Sequence, residues 1–72
     1  MQRVPVLGSD VFLFERGEQN EIILSPAIVT HINNIDQTVC LFVMRRESTQ
    51  SIVNVVHGCE HGNWFYKGEY GI

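Results

Sequence analysis

Apolar and β-branched residues in this chain come in short runs divided by polar clusters, and no stretch repeats at the spacing of an amphipathic helix. Residues 10–15, with Val11, Phe12, Leu13 and Phe14 in succession, predict a first strand. Residues 16–21 predict a polar loop around Gly17, followed by a short apolar return at Ile22, Ile23 and Leu24. Pro26 lacks a backbone donor and biases Ser25 towards extended geometry, so a strand start or bulge is expected there. Residues 26–32 then make the second main strand, and a turn at 33–36 closes it. A third strand is expected over 37–45, a hairpin loop over 47–50, a fourth strand over 51–57 and a short fifth over 64–67. Between the last two lies a polar, glycine-bearing connection at 58–63. The tail, 68–72, is expected to be frayed or docked on a neighbour.

Five short strands in 72 residues predict an all-β fold in one domain over 1–72, with its core in 10–67. The architecture expected is a small, strongly bent, five-stranded antiparallel SH3-like barrel. An OB-like barrel usually runs longer and often carries a helix.

One pattern goes beyond fold class. A strand with one wet face alternates apolar and polar residues, yet Val39, Leu41 and Val43 share one face of the third strand while Cys40, Phe42 and Met44 share the other. The fourth strand sets Ile52, Asn54 and Val56 against Val53, Val55 and His57, and the first sets Val11 and Leu13 against Phe12 and Phe14. A chain this short builds one core layer, so an apolar patch including Phe42, Met44, Val53 and Val55 is left over. A homo-oligomer, a dimer or higher, is expected to bury it.

Composition narrows the partners. Charged residues are only 18% of the chain against 44% hydrophobic, which excludes a disordered polyelectrolyte. The longest apolar run, at 39–44, is far short of the ~20 residues of a membrane span. The first residues show no secretory signal pattern, so a cytoplasmic protein with no membrane partner is expected. The net charge is −3 with five basic residues. Arg45 and Arg46 are the one basic pair, and Glu47 follows them, so duplex nucleic acid is disfavoured as a partner. Cys40 and Cys59 allow at most one bridge and are expected to be reduced thiols.

The order Pro26-Ala27-Ile28-Val29-Thr30, a turn, Val39-x-Leu41-x-Val43, Val55-Val56-His57-Gly58 and Gly62-Asn63-Trp64 resembles a group of small phage-encoded accessory proteins. Those proteins share a Pro-Ala-Ile opening, an apolar strand pair and a Gly-x-Trp-x-Trp ending. The resemblance spans roughly residues 10–67. It implies a barrel-like accessory protein at work in the host cytoplasm and supplies no reaction. Tyr66 stands here where the pattern has its second Trp, and Lys67 where Pro is common.

Several constellations bear on chemistry. His57-x-Cys59-x-His61 has metal-like spacing, but a fourth ligand is missing unless Cys40 supplies it, and no Cys-x-x-Cys pair is present. No metal and no cofactor are expected. Trp64 and Tyr66 share one face of the fifth strand and Phe65 the other; the pair can serve as packing, or as a platform on which nucleobases stack. Arg45 and Arg46 suit phosphate or carboxylate through their forked donors. His31, between Val29 and Ile32, is expected to be a partly buried, hydrogen-bonded histidine. No serine–histidine–carboxylate relay, P-loop or dinucleotide glycine pattern is evident, so no catalytic residue is assigned and a non-enzyme is expected.

The functional expectation is a phage accessory protein that acts by occupancy. In its sharpest form it is a counter-defence protein that sequesters a small nucleotide signal of the host, such as a cyclic nucleotide. Trp64, Tyr66, Arg45, Arg46 and His57 would line a pocket formed between copies. The alternatives are a minor virion or decoration protein, or an inhibitor of one host protein.

Overall fold

The computed structural model describes residues 4–71. Five strands form one antiparallel sheet: β1 (Asp10–Arg16), β2 (Ile22–Asn33), β3 (Thr38–Met44), β4 (Thr49–Val55) and β5 (Asn63–Tyr66), and a 3-10 turn follows at Glu69–Gly71. The spatial order is β4-β3-β2-β1-β5. The first four strands are a meander of hairpins, and β5 returns to the free side of β1, where Trp64 faces Leu13 and Tyr66 faces Val11.

The expected barrel is not closed. No ladder joins β4 to β5; these two margins meet at one parallel bridge between His57 and Trp64. There the Trp64 N–H donates to the Val56 carbonyl at 3.0 Å and the Gly58 N–H to the Trp64 carbonyl at 3.0 Å. The chain reaches this bridge only after β4 has ended, and β5 is four residues long. Too few backbone groups therefore meet to make a seam, and the first residues of β4 keep a free edge.

Pro26 does not interrupt β2, which runs unbroken for 12 residues. The ladder between β2 and β3 begins at Ala27 opposite Val43. Pro26 stands one step outside it, paired with Phe12 of β1 alone. A missing donor is tolerated there as it is on an edge strand.

Two bulges bend the sheet, one on each side of Cys40. Thr30 is the extra residue of β2, between the pairs Val29–Leu41 and His31–Cys40, and its hydroxyl donates to the Cys40 carbonyl at 3.2 Å. In β4 the register shifts between Leu41–Ile52 and Val39–Val55, and Asn54 adopts a left-handed φ of 57°. An inserted residue increases local twist and reverses the inward–outward alternation beyond it. Ile32 consequently packs on the core and His31 is exposed, contrary to the partly buried site expected for it. Val55 likewise points inward and is buried, so it is core and not the surface residue that strict alternation along β4 predicts.

The concave face holds the core: Val11 and Leu13, Ala27 and Val29, Val39, Leu41 and Val43, Val55, and Trp64. Each valine or leucine among them, taken from water, contributes on the order of 1.5–3 kcal/mol. The opposite face of β1 and β5 forms a second, smaller cluster. Phe65 packs on Phe12 and Phe14, with ring centroids 6.1 and 6.0 Å away, and Tyr70 from the C-terminal turn lies edge-on to Phe65 at 5.3 Å. Phe14 and Phe65 are both buried. The chain thus covers the second face of β1 by itself, with its own tail, which docks on its own sheet and not on a neighbour. Ile72 lies outside the described residues.

Candidate functional site

The five residues expected to contact a ligand do not converge on an open surface. Trp64 is the centre of the core, with none of its surface exposed. Its ring lies edge-on to His57 at 4.7 Å and to Tyr66 at 5.2 Å. Its Nε1–H has no acceptor among the described residues. A stacking platform needs an open ring face, and Trp64 has none, so it is a structural residue here. Tyr66 is half-buried, and its hydroxyl donates to the Val4 carbonyl at 3.0 Å.

His57 is held by the C-terminal turn. Its Nε2 lies 3.0 and 3.2 Å from the two carboxylate oxygens of Glu69. Glu69 Oε1 also accepts the Tyr66 backbone N–H at 2.7 Å. The carboxylate therefore pins the end of β5 and the segment after β4 to one point. Nothing in the one-dimensional pattern singles out Glu69, because its role depends on a turn that brings the chain back over β5.

Arg45 is committed as well. Its Nη1 lies 2.9 Å from Glu15 Oε1 across the sheet, and its Nε donates to Gln50 Oε1 at 3.0 Å. Its carboxylate partner is Glu15 of β1 and not the adjacent Glu47. A partly exposed pair of this kind contributes up to about 1 kcal/mol. Arg46 is exposed, within the turn in which the Arg45 N–H donates to the Ser48 carbonyl at 2.8 Å. No pocket opens among the described residues.

The metal-like spacing does not become a metal-like cluster. His57 is engaged by Glu69, while His61 Nδ1 accepts the Arg16 backbone N–H at 3.0 Å. Cys40 and Cys59 are free thiols, both half-buried. The described residues contain no group of three His, Cys, Asp or Glu side chains placed to share an ion.

The other predicted set fares differently. Phe42, Met44 and Val53 lie on the outer face with 39, 38 and 62% of their surface exposed. Phe42 stands directly opposite Ile28 of β2 and Ser51 of β4. The register with β1 puts Ile22, Leu24, Pro26 and Ile28 on this same outer face, beside Phe14 and Phe12. Ile22 is 52% exposed and Leu24 and Ile28 are half-buried. These β2 residues repeat at a period of two, a signal hidden by the break expected at Pro26. None of the residues of β2, β3 or β4 is Asp, Glu, Lys or Arg. The candidate site is therefore a continuous, uncharged, largely apolar outer face over three strands, and it ends at the free edge of β4.

No protein-family model, curated protein or solved structure matches this chain. No helix among the described residues is long and apolar enough to cross a membrane.

Proposed function

We propose that the protein is a non-enzymatic binding protein that works by occupancy, through the uncharged outer face of β2, β3 and β4, with a second copy of itself as the first occupant. The observation that carries this reading is the exposure of Phe42, Met44, Val53 and Ile22 on one face that has no formal charge. Contiguous apolar surface of this sort marks contact with another protein, because leaving it wet is unfavourable in proportion to its area. An accessory role in a phage-infected cell suits such a protein, on the resemblance of its strand and Gly-x-Trp-x-Tyr pattern.

Sequestration of a nucleotide signal is the less favoured form of the reading. Within one chain Trp64 is sealed and the Arg45 guanidinium is taken by Glu15, so a nucleotide site would have to be made between copies. The test pairs two measurements on purified protein. The double variant Phe42→Asp, Met44→Asp is expected to keep its circular dichroism and to sediment at a lower mass than the unaltered protein, since each carboxylate would be buried unpaired in the outer-face contact. The unaltered protein, mixed with cyclic di- and trinucleotides and ADP-ribose derivatives, is expected to keep its melting temperature. A variant with the same sedimentation mass as the unaltered protein would overturn the face reading, and a melting shift of several degrees with one nucleotide would restore the pocket reading.

A further inference from the structure

We infer that the free edge of β4 pairs antiparallel with β4 of a second copy, about a twofold axis at Ser51, so that the two sheets continue into one. This rests on the self-association proposed above and adds a second contact to it, since edge pairing lengthens the sheet and leaves the outer faces open to be covered in turn.

The two margins of the sheet are treated differently by the chain. The outer side of β5 is covered at Trp64 by the segment that follows β4, through the two hydrogen bonds with Val56 and Gly58. The outer side of β4 has no strand paired to it among the described residues. An open strand presents a row of unpaired donors and acceptors, and natural edges are usually blunted by charge, proline or a bulge. Thr49-Gln50-Ser51-Ile52-Val53-Asn54-Val55 has no charge and no proline. Its register shift lies between Ile52 and Val55, near the far end, so the regular pairing with β3 runs over residues 49–52. These four are exposed except for a half-buried Ile52.

Charge selects a second copy as the occupant. The chain carries a net −3, with every acidic side chain outside β2, β3 and β4. Two copies therefore repel through most of their surface and can meet without carboxylate opposing carboxylate along this neutral edge. A basic partner would find its acidic contacts elsewhere. Keeping the outer faces continuous sets odd-numbered positions of β4 opposite odd-numbered ones, and of these registers the axis at Ser51 overlaps residues 49–53 of both copies in full. Centring the pair on Ser51 sets Thr49 opposite the partner's Val53 and Ser51 opposite the partner's Ser51, all on the outer side. Hydroxyl and β-branched pairs of this kind suit antiparallel neighbours. Glu47 then falls beside the partner's Val55 and away from the partner's Glu47. The Phe42 and Val53 surfaces of both copies join into one apolar face that crosses the axis.

The geometry is tested by oxidative cross-linking of the Ser51→Cys variant and, separately, of Thr49→Cys. Linked peptides are identified by mass spectrometry, with the unaltered chain as the control for Cys40 and Cys59. Opposed Cβ atoms at position 51 in such a pair are about 4.5–5.5 Å apart, close enough for a disulfide to form with a small adjustment. A thiol introduced at position 49 is about 13 Å from its own copy, four residues along the strand, and out of reach. Both positions are exposed, so neither change touches the core. The expected result is that Ser51→Cys links to its own copy at least tenfold faster than Thr49→Cys does. A protein that sediments as a dimer yet forms no link through position 51 overturns the edge pairing and leaves the proposed outer-face contact standing. Equal linking of the two variants overturns the register. A single-chain mass for the unaltered protein overturns the edge pairing and the self-association beneath it together.

Discussion

Asp36 shows how much one polar side chain decides locally. Its carboxylate accepts the Thr38 hydroxyl at 2.7 Å and the Thr38 N–H at 3.1 Å, closing the turn between β2 and β3. The hydroxyl is the larger cause, and together they hold the Asp36 pKa below its ordinary 3.8. A carboxylate with a depressed pKa stabilises the fold at pH values above the unfolded-state value, and that contribution is lost as pH falls through the folded-state value. An NMR titration is therefore expected to place the Asp36 midpoint below 3.8, and Thr38→Val to move it back towards 3.8; a native midpoint at or above 3.8 would contradict the turn geometry. Trp64 is a residue whose role its type leaves open. Platform and packing both suit an indole, and the choice depends on whether β5 lies over the concave face. That is a property of the pairing with β1, which no local pattern encodes.

At the scale of elements, all five strands lie within a few residues of where apolar runs and turn clusters put them, because short β-branched runs between polar turns have few other ways to fold. The faces are less legible. Simple alternation assigns Val55 to the surface, and the bulge at Asn54 moves it into the core. Pro26 reads as a break because its missing donor matters inside a ladder, and it falls one step outside one. The bulge also makes Asn54 a sensitive position. At its φ of 57° asparagine is tolerated, whereas a β-branched residue is strained by roughly 1–2 kcal/mol. Asn54→Val is expected to lower stability by about that amount in urea denaturation, and Asn54→Gly to leave it unchanged or raise it by up to about 1 kcal/mol. A valine variant as stable as the native chain would show that the bulge is not formed as described.

The whole molecule is a sheet that hides one face and part of the other. The concave side closes around Trp64, and the tail packs on Phe65. Phe42, Met44, Val53 and the outward residues of β2 are left with water and no charge. The sequence already contains too much apolar strand surface for one small sheet, and the structure narrows the excess to three strands and one edge. A contact built from this surface depends little on salt, in contrast to one held by surface ion pairs. Sedimentation equilibrium of the unaltered protein is the most direct test. At least twice the 8.2 kDa chain mass, retained across a roughly tenfold change in ionic strength, is the expected result. A single-chain mass at all concentrations up to about a millimolar, the weak end of specific affinities, would contradict the central claim that this face exists to be covered by another copy.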